Sequence, residues 1–213
     1  DKKNTSYNYV IQQINKLQER INKEKINIKI HPASEVFFKF NLTKILNNPI
    51  TTFGKGKYML IEFQRLSFPE GYETEIFKIQ LKGITPIIAH PERYRGIQNN
   101  IGLAKKWIKQ GYVIQIDCAS ILGRFGKETE KCATQLLKNG YCHLIGSDAH
   151  NDKNRNFLMK DALLKINKLV GENSALIIKN NSNKVLNGEQ CNQYLSIDSK
   201  KSIFDKIKSF IKN

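Results

Sequence analysis

The chain of 213 residues is 40% hydrophobic, with eleven Phe and eight Tyr, which suits one globular domain with a substantial core. No run approaches the ~18 apolar residues of a membrane span and no secretory signal opens the sequence, so neither an integral membrane protein nor an exported one is expected. The formal charge of +16 rests on 29 Lys and 6 Arg scattered along the chain; without a basic stripe interleaved with aromatics a nucleic-acid partner is not expected, although a positive field could draw in an anionic substrate.

In chain order, the first periodic segment is a helix. Val10, Ile11, Ile14, Leu17 and Ile21 recur at helical spacing, and Thr5 or Ser6 can cap it. Short apolar runs of strand type follow, with polar residues at or just beyond their ends. The run 26-INIKI-30 precedes Glu35, and 58-YMLI-61 precedes Glu62. A helical stretch over 72–82 carries Ile76, Phe77 and Ile79 and leads to 85-TPIIA-89, then to His90 and Arg93. A second stretch, 101–110, ends at Gly111 before 112-YVIQI-116 and Asp117. A third, 129–139, ends at Gly140 before 142-CHLIGS-147, Asp148 and His150. A last strand-like run, 175-ALIIK-179, precedes Asn180.

Glu35, Glu62, His90, Asp117 and Asp148 are separated by 27, 28, 27 and 31 residues. A βαβ unit occupies about 30 residues, so the spacing predicts successive βα units around a parallel sheet or barrel. In such folds the working residues lie at the carboxyl ends of strands. Carboxylates and imidazoles converging on one mouth would repel or stay unpaired unless cations neutralise them, and they are the ligands that divalent metals take. The four cysteines, Cys118, Cys132, Cys142 and Cys191, form no C-x-x-C pair. They read as reduced and mostly buried, which points to the cytoplasm.

Two compact motifs carry the chemistry. In 86-PIIAHPERYRG-96, Pro91 stiffens the exit of a buried strand and aims His90, while Arg93 and Arg95 project from the same loop. Two of only six arginines within a few residues suggest an anion site, since guanidinium matches phosphate oxygens in bidentate geometry. In 145-IGSDAHNDKNR-155, Asp148 and His150 form a D-x-H pair whose alternate residues can reach one ion, and Arg155 lies close behind. Carboxylate with neutral imidazole suits Mn, Fe or Zn better than Ca or Mg.

At these residues the sequence resembles a known family. PIIAHPERY, GYVIQIDCASILGRFG and LIGSDAHN, in this order and spacing, are similar to the bacterial capsule-type manganese-dependent protein-tyrosine phosphatases of the polymerase-and-histidinol-phosphatase superfamily. The resemblance runs from about residue 6 to residue 190. It implies a distorted seven-stranded (β/α)7 TIM-like barrel whose mouth holds up to three divalent ions, usually Mn with Fe or Zn possible. By the resemblance, Glu35, Glu62, His90, Asp148 and His150 are metal ligands, and Arg93 and Arg155 bind and stabilise the phosphoryl group. The implied substrate is phosphotyrosine on the tail of a bacterial tyrosine kinase that governs exopolysaccharide synthesis and export. No cysteine nucleophile is required, and none of the four lies in a C-x5-R loop.

The family's opening D-x-H-x-H strand, a further Asp and a later His have no counterpart here. His31 and His143 lie outside matching positions and read as structural. One expectation is that the sequence covers part of a longer protein whose first strands precede Asp1, since a barrel without them would expose unpaired edges. The alternatives are a catalytically impaired phosphotyrosine-binding module, or a small-molecule phosphomonoesterase of the same superfamily. The domain expected is thus an N-terminally incomplete barrel over 1–190, followed by an extension over 191–213. In that extension Ile203, Phe204, Ile207, Phe210 and Ile211 mark one face of a short amphipathic helix. Docking on the body or on a second copy of the chain is the plain expectation for it; peripheral contact with a membrane surface is the sharper one.

Overall fold

A computed structural model describes residues 6–153, 155–194 and 196. Five parallel strands form one sheet in the order β1-β2-β3-β4-β5: β1 Glu35–Phe37, β2 Tyr58–Glu62, β3 Thr85–Ala89, β4 Val113–Asp117 and β5 Leu144–Gly146. Each strand pairs with its sequence neighbour, as successive right-handed βα units require. Around them run α1 Tyr7–Lys23, α2 Tyr72–Gln80, α3 Arg95–Asn99, α4 Gly102–Lys109, α5 Cys118–Ile121, α6 Lys127–Lys138, α7 Met159–Val170 and α8 Glu172–Leu186.

Alternation along the strands separates two cores. Met59, Ile61, Ile88, Ile114, Ile116 and Ile145 face the helices and pack with Ile76, Trp107, Leu136 and Ile166. Tyr58, Ile87, Val113 and Leu144 face the other way, toward Val185 of α8. With a period of two, Glu62 falls on the face of Tyr58, and Asp117 on the face of Val113. The second face therefore carries polar groups at its carboxyl-terminal end.

The structure corrects two expected strands. The run 26–30 forms no strand: Ile28 is 58% exposed, and its carbonyl and the Ile30 N–H are taken by the Gln18 side chain of α1 at 2.9 Å each. The strand begins instead at Glu35, so this acid opens β1 and does not follow it. The run 175–179 lies within α8, where Ser174, Ile178, Asn181 and Val185 are buried at helical spacing. A short apolar run reads equally as strand or buried helix, and here the positions outside the run decide. Among the described residues the sheet has five strands, without the closure of a seven-stranded barrel.

The other two histidines differ in burial. His31 is exposed. His143 lies one residue before β5, donates its N–H to the Ile114 carbonyl at 3.0 Å and accepts the Ile114 N–H on Nδ1 at 3.2 Å. Burial pushes its imidazole down to about 4. The unfolded chain therefore holds an extra proton between the unfolded value near 6.5 and the folded value near 4. The neutral imidazole's contribution is fully present above pH 6.5 and is lost as pH falls toward 4, by about 3 kcal/mol. Urea unfolding at pH 7 and pH 4.5 should show the wild type losing about 2 kcal/mol more than His143→Gln; equal losses would reject this assignment. All four cysteines are free, with Cys118, Cys132 and Cys142 buried.

Packing continues past α8. The Asn181 amide donates to the carbonyls of His143 and Asn192, and its oxygen accepts the Asn192 N–H. The Tyr194 hydroxyl donates to the Leu137 carbonyl at 2.7 Å. The amphipathic pattern over 203–211 lies outside the described residues. Among those described, no helix is long and apolar enough to cross a membrane.

Candidate metal and phosphate site

Register places Glu35 beside Leu60 and Phe37 beside Glu62, so the two acids share a face one step apart. His90 leaves β3 in the left-handed region, φ +31°, ψ 54°, which a side chain adopts only at a cost of about 1–3 kcal/mol. Pro91 then fixes the start of a 3-10 turn, Pro91–Arg93. This exit folds the imidazole back over the strand ends. His90 Nε2 lies 3.0 Å from Glu35 Oε1 and 3.4 Å from Glu62 Oε1. Ligand atoms of these three residues all lie within 4.8 Å of one another. His90 is buried, Glu62 half-buried and Glu35 exposed, so the cluster opens to solvent on the β1 side. Two carboxylates held this close repel unless a positive charge sits between them. Together with an imidazole nitrogen they form a donor set that fits a divalent transition metal.

The strand exit is braced by Tyr94, which is fully buried. Its hydroxyl donates to the Ala89 carbonyl at 2.7 Å and accepts the Phe63 N–H at 3.0 Å. It thereby ties the residue before His90 to the residue after Glu62. Tyr94→Phe leaves both backbone groups buried without this partner and should lower unfolding stability by about 1–3 kcal/mol. Urea titration checks this, and an unchanged midpoint would show that the bridge contributes nothing.

Arginine chemistry adjoins the cluster. In a 3-10 turn residues three apart lie on one side, and the Arg93 N–H donates to the His90 carbonyl at 3.0 Å. The buried Arg93 guanidinium pairs with Asp117 and reaches Asp148 Oδ2 at 2.9 Å. Arg155 also pairs with Asp148 Oδ2. Asp148 itself sits at φ +45°. The following loop is closed by the Arg155 carbonyl, which accepts the N–H groups of His150 at 2.8 Å and Asn151 at 3.2 Å. The exposed His150 places Nδ1 at 2.8 Å from the Asp148 carbonyl and 3.5 Å from its carboxylate.

Thus Glu35, Glu62 and His90 converge in one group, while Arg93 and Arg155 meet on Asp148. Asp148 and His150 contact each other but stand outside the three-residue group. Two supporting residues had no assigned site role in the sequence. Asp117, legible only as a polar strand end, anchors Arg93 and caps α5 by accepting the Ala119 N–H at 2.7 Å. Glu92 is fully buried and accepts the Asp117 N–H at 3.1 Å; burial pushes its carboxyl up to about 7. Nothing in its sequence position marks it beyond its neighbours His90 and Arg93.

Metal-dependent hydrolysis of a phosphate ester is the chemistry that this pairing of a ligand set with guanidinium groups suits. The chain belongs to the family described as Capsular polysaccharide synthesis, CpsB/CapC, whose profile matches residues 1–187. It is 34% identical over 173 residues to the tyrosine-protein phosphatase YwqE of Bacillus subtilis, covering 77% of this chain and 68% of that protein. The tyrosine-protein phosphatase CpsB of Streptococcus pneumoniae is 30% identical over 149 residues, covering 67% of this chain and 61% of that one. A solved structure from the pair YwqE and CpsB, described as unique metal-dependent tyrosine phosphatases, superposes with a TM-score of 0.82 at 30% identity. It covers 87% of this chain and 76% of the other. The chain is a homologue of metal-dependent tyrosine-protein phosphatases.

Proposed function

We propose that this chain carries the site of a metal-dependent protein-tyrosine phosphatase acting on phosphotyrosine in the tail of a bacterial tyrosine kinase of capsule or exopolysaccharide synthesis. One observation carries the reading: the 3-10 turn after β3 joins a three-residue ligand cluster to a buried arginine, so cation and phosphate would be held side by side. Glu35, Glu62 and His90 would hold a divalent cation, with Asp148 and His150 as further ligands; manganese is the proposed metal. A cation there would supply Lewis acidity, making water a competent nucleophile near neutral pH and offsetting phosphoryl charge. Arg93 and Arg155 hold the phosphoryl oxygens and balance the charge that develops on them. A tyrosine phenolate, with a pKa of about 10, leaves with less need of a proton donor than an alkoxide does.

The same reading takes the five strands as part of a seven-stranded barrel, supported by β1, which pairs on one edge only among the described residues. It places the protein in the cytoplasm, where the four free cysteines would stay reduced. Hydrolysis of a phosphotyrosine peptide should depend on added Mn and be lost with chelator. Absence of turnover with Mn, Fe and Zn alike, or turnover indifferent to chelator, would overturn the enzyme reading. Faster turnover of histidinol phosphate than of the peptide would move the substrate to small phosphomonoesters.

A further inference from the structure

We propose that Phe125 is a specificity-determining residue of this site, the wall against which the phenyl ring of phosphotyrosine lies. The inference rests on the phosphotyrosine reading above. The Phe125 ring centroid lies 4.1 Å from Arg93 Cζ, so the ring covers one side of the guanidinium. Arg93 is buried to 9% exposure between this ring and its aspartate partners, yet Phe125 itself remains 37% exposed. A ring that only shielded Arg93 could be tucked under the loop; this one keeps part of its surface open to solvent beside the guanidinium.

The loop holds it there. Gly123 at φ +78° and Gly126 at φ +92° flank Arg124 and Phe125, and the Arg124 N–H donates to the Ala119 carbonyl at 2.9 Å. At φ +78° Gly123 holds a left-handed conformation that side chains rarely adopt, so this tight turn favours glycine. The turn follows directly on α5, whose cap Asp117 is also the partner of Arg93. Ring, guanidinium and strand end are therefore set by one short segment.

A phosphoryl group held at the edge of the Arg93 guanidinium carries its ester oxygen toward the adjoining ring. In phosphotyrosine the next group is a phenyl ring, which can meet Phe125 edge to face or offset. In phosphoserine it is a methylene with little surface to bury. Aromatic pairs add about 0.5–1.5 kcal/mol beyond burial, a preference of about 2- to 12-fold.

Binding separates this role from simple bracing of Arg93. Calorimetry on the full chain with Mn present would compare phosphotyrosine, phosphoserine and inorganic phosphate. Phe125→Leu should weaken phosphotyrosine by about 3- to 10-fold while leaving the other two within about twofold. Phe125→Tyr should retain the wild-type preference. Equal weakening of all three ligands would make Phe125 a positioning residue for Arg93 and overturn the proposal, as would a preference untouched by Phe125→Leu. A wild type without preference for phosphotyrosine over phosphoserine would instead reject the phosphotyrosine reading itself, and the proposal with it.

Discussion

Replacing His90 with alanine should abolish measurable binding of Mn by this chain, weakening it by about 100-fold or more. His90 is the one nitrogen donor of the three-residue cluster and the only one of its members that is buried. Its geometry is also held at the expense of a left-handed backbone, so the fold is arranged around its orientation. Perturbing residues that merely support a ligand already weakens metal sites by about 10- to 100-fold, and deleting the ligand itself should exceed that. Alanine removes the ring without adding charge, and it accepts φ +31° no better than histidine, so the backbone strain stays roughly constant between the two proteins. Titration calorimetry or manganese electron paramagnetic resonance would read the loss directly, with no need for turnover. An affinity close to wild type in His90→Ala would mean that the cluster is not where the cation binds. Glu62→Gln, which keeps shape and removes charge, should show a smaller loss of the same sign.

The second large effect concerns Arg93 and reads out in two quantities at once. Arg93→Ala should cut phosphatase turnover by about 100- to 1,000-fold, the usual consequence of deleting one preorganised group that stabilises transition-state charge. It should also destabilise the protein by about 3–5 kcal/mol, because Asp117 and Asp148 lose a buried partner. The two losses have different remedies. Adding Asp117→Asn removes the stranded charge, so the double variant should recover much of the stability and none of the turnover. Arg155 is more exposed and, among the described residues, forms its ion pair with Asp148 alone. Arg155→Ala should therefore resemble Arg93→Ala in turnover while costing far less stability. Denaturant midpoints and steady-state rates on the four proteins test this; recovery of turnover in the double variant would show that Arg93 acts only as a structural counter-ion.

Much of the site was legible in the sequence because the strand period and the βα spacing act together. Glu62, His90 and Asp117 stand at the ends of apolar runs that do become β2, β3 and β4. Alternation along each strand then fixes which of them face the same way. Glu35 was read as lying beyond a strand, but the run 26–30 is held by Gln18 of α1, a contact that no local pattern announces. The run 175–179 failed for a different reason. Its apolar residues suit either structure, and the helical reading needed Ser174, Asn181 and Val185, two of them polar and buried. Glu92 was invisible because its burial depends on α3, α6 and β4 closing around its turn, an event set by chain segments far apart. The meeting of both arginines on one aspartate likewise needs the turn after β3 and the loop after β5 in place together.

The first helix has a consequence of another kind. None of the 17 residues of α1 is fully buried, and the side-chain bonds of Gln18 tie it to residues 28 and 30 just after it. Most helical stability in a protein comes from packing an apolar face, and α1 has little of it. Its amide protons should therefore exchange with solvent through local openings far less costly than global unfolding, while those of β2, β3 and β4 wait for the whole molecule to open. The chain would then behave as two cooperative units: a slow-exchanging sheet that holds the ligands and a fast-exchanging helix beside its open edge.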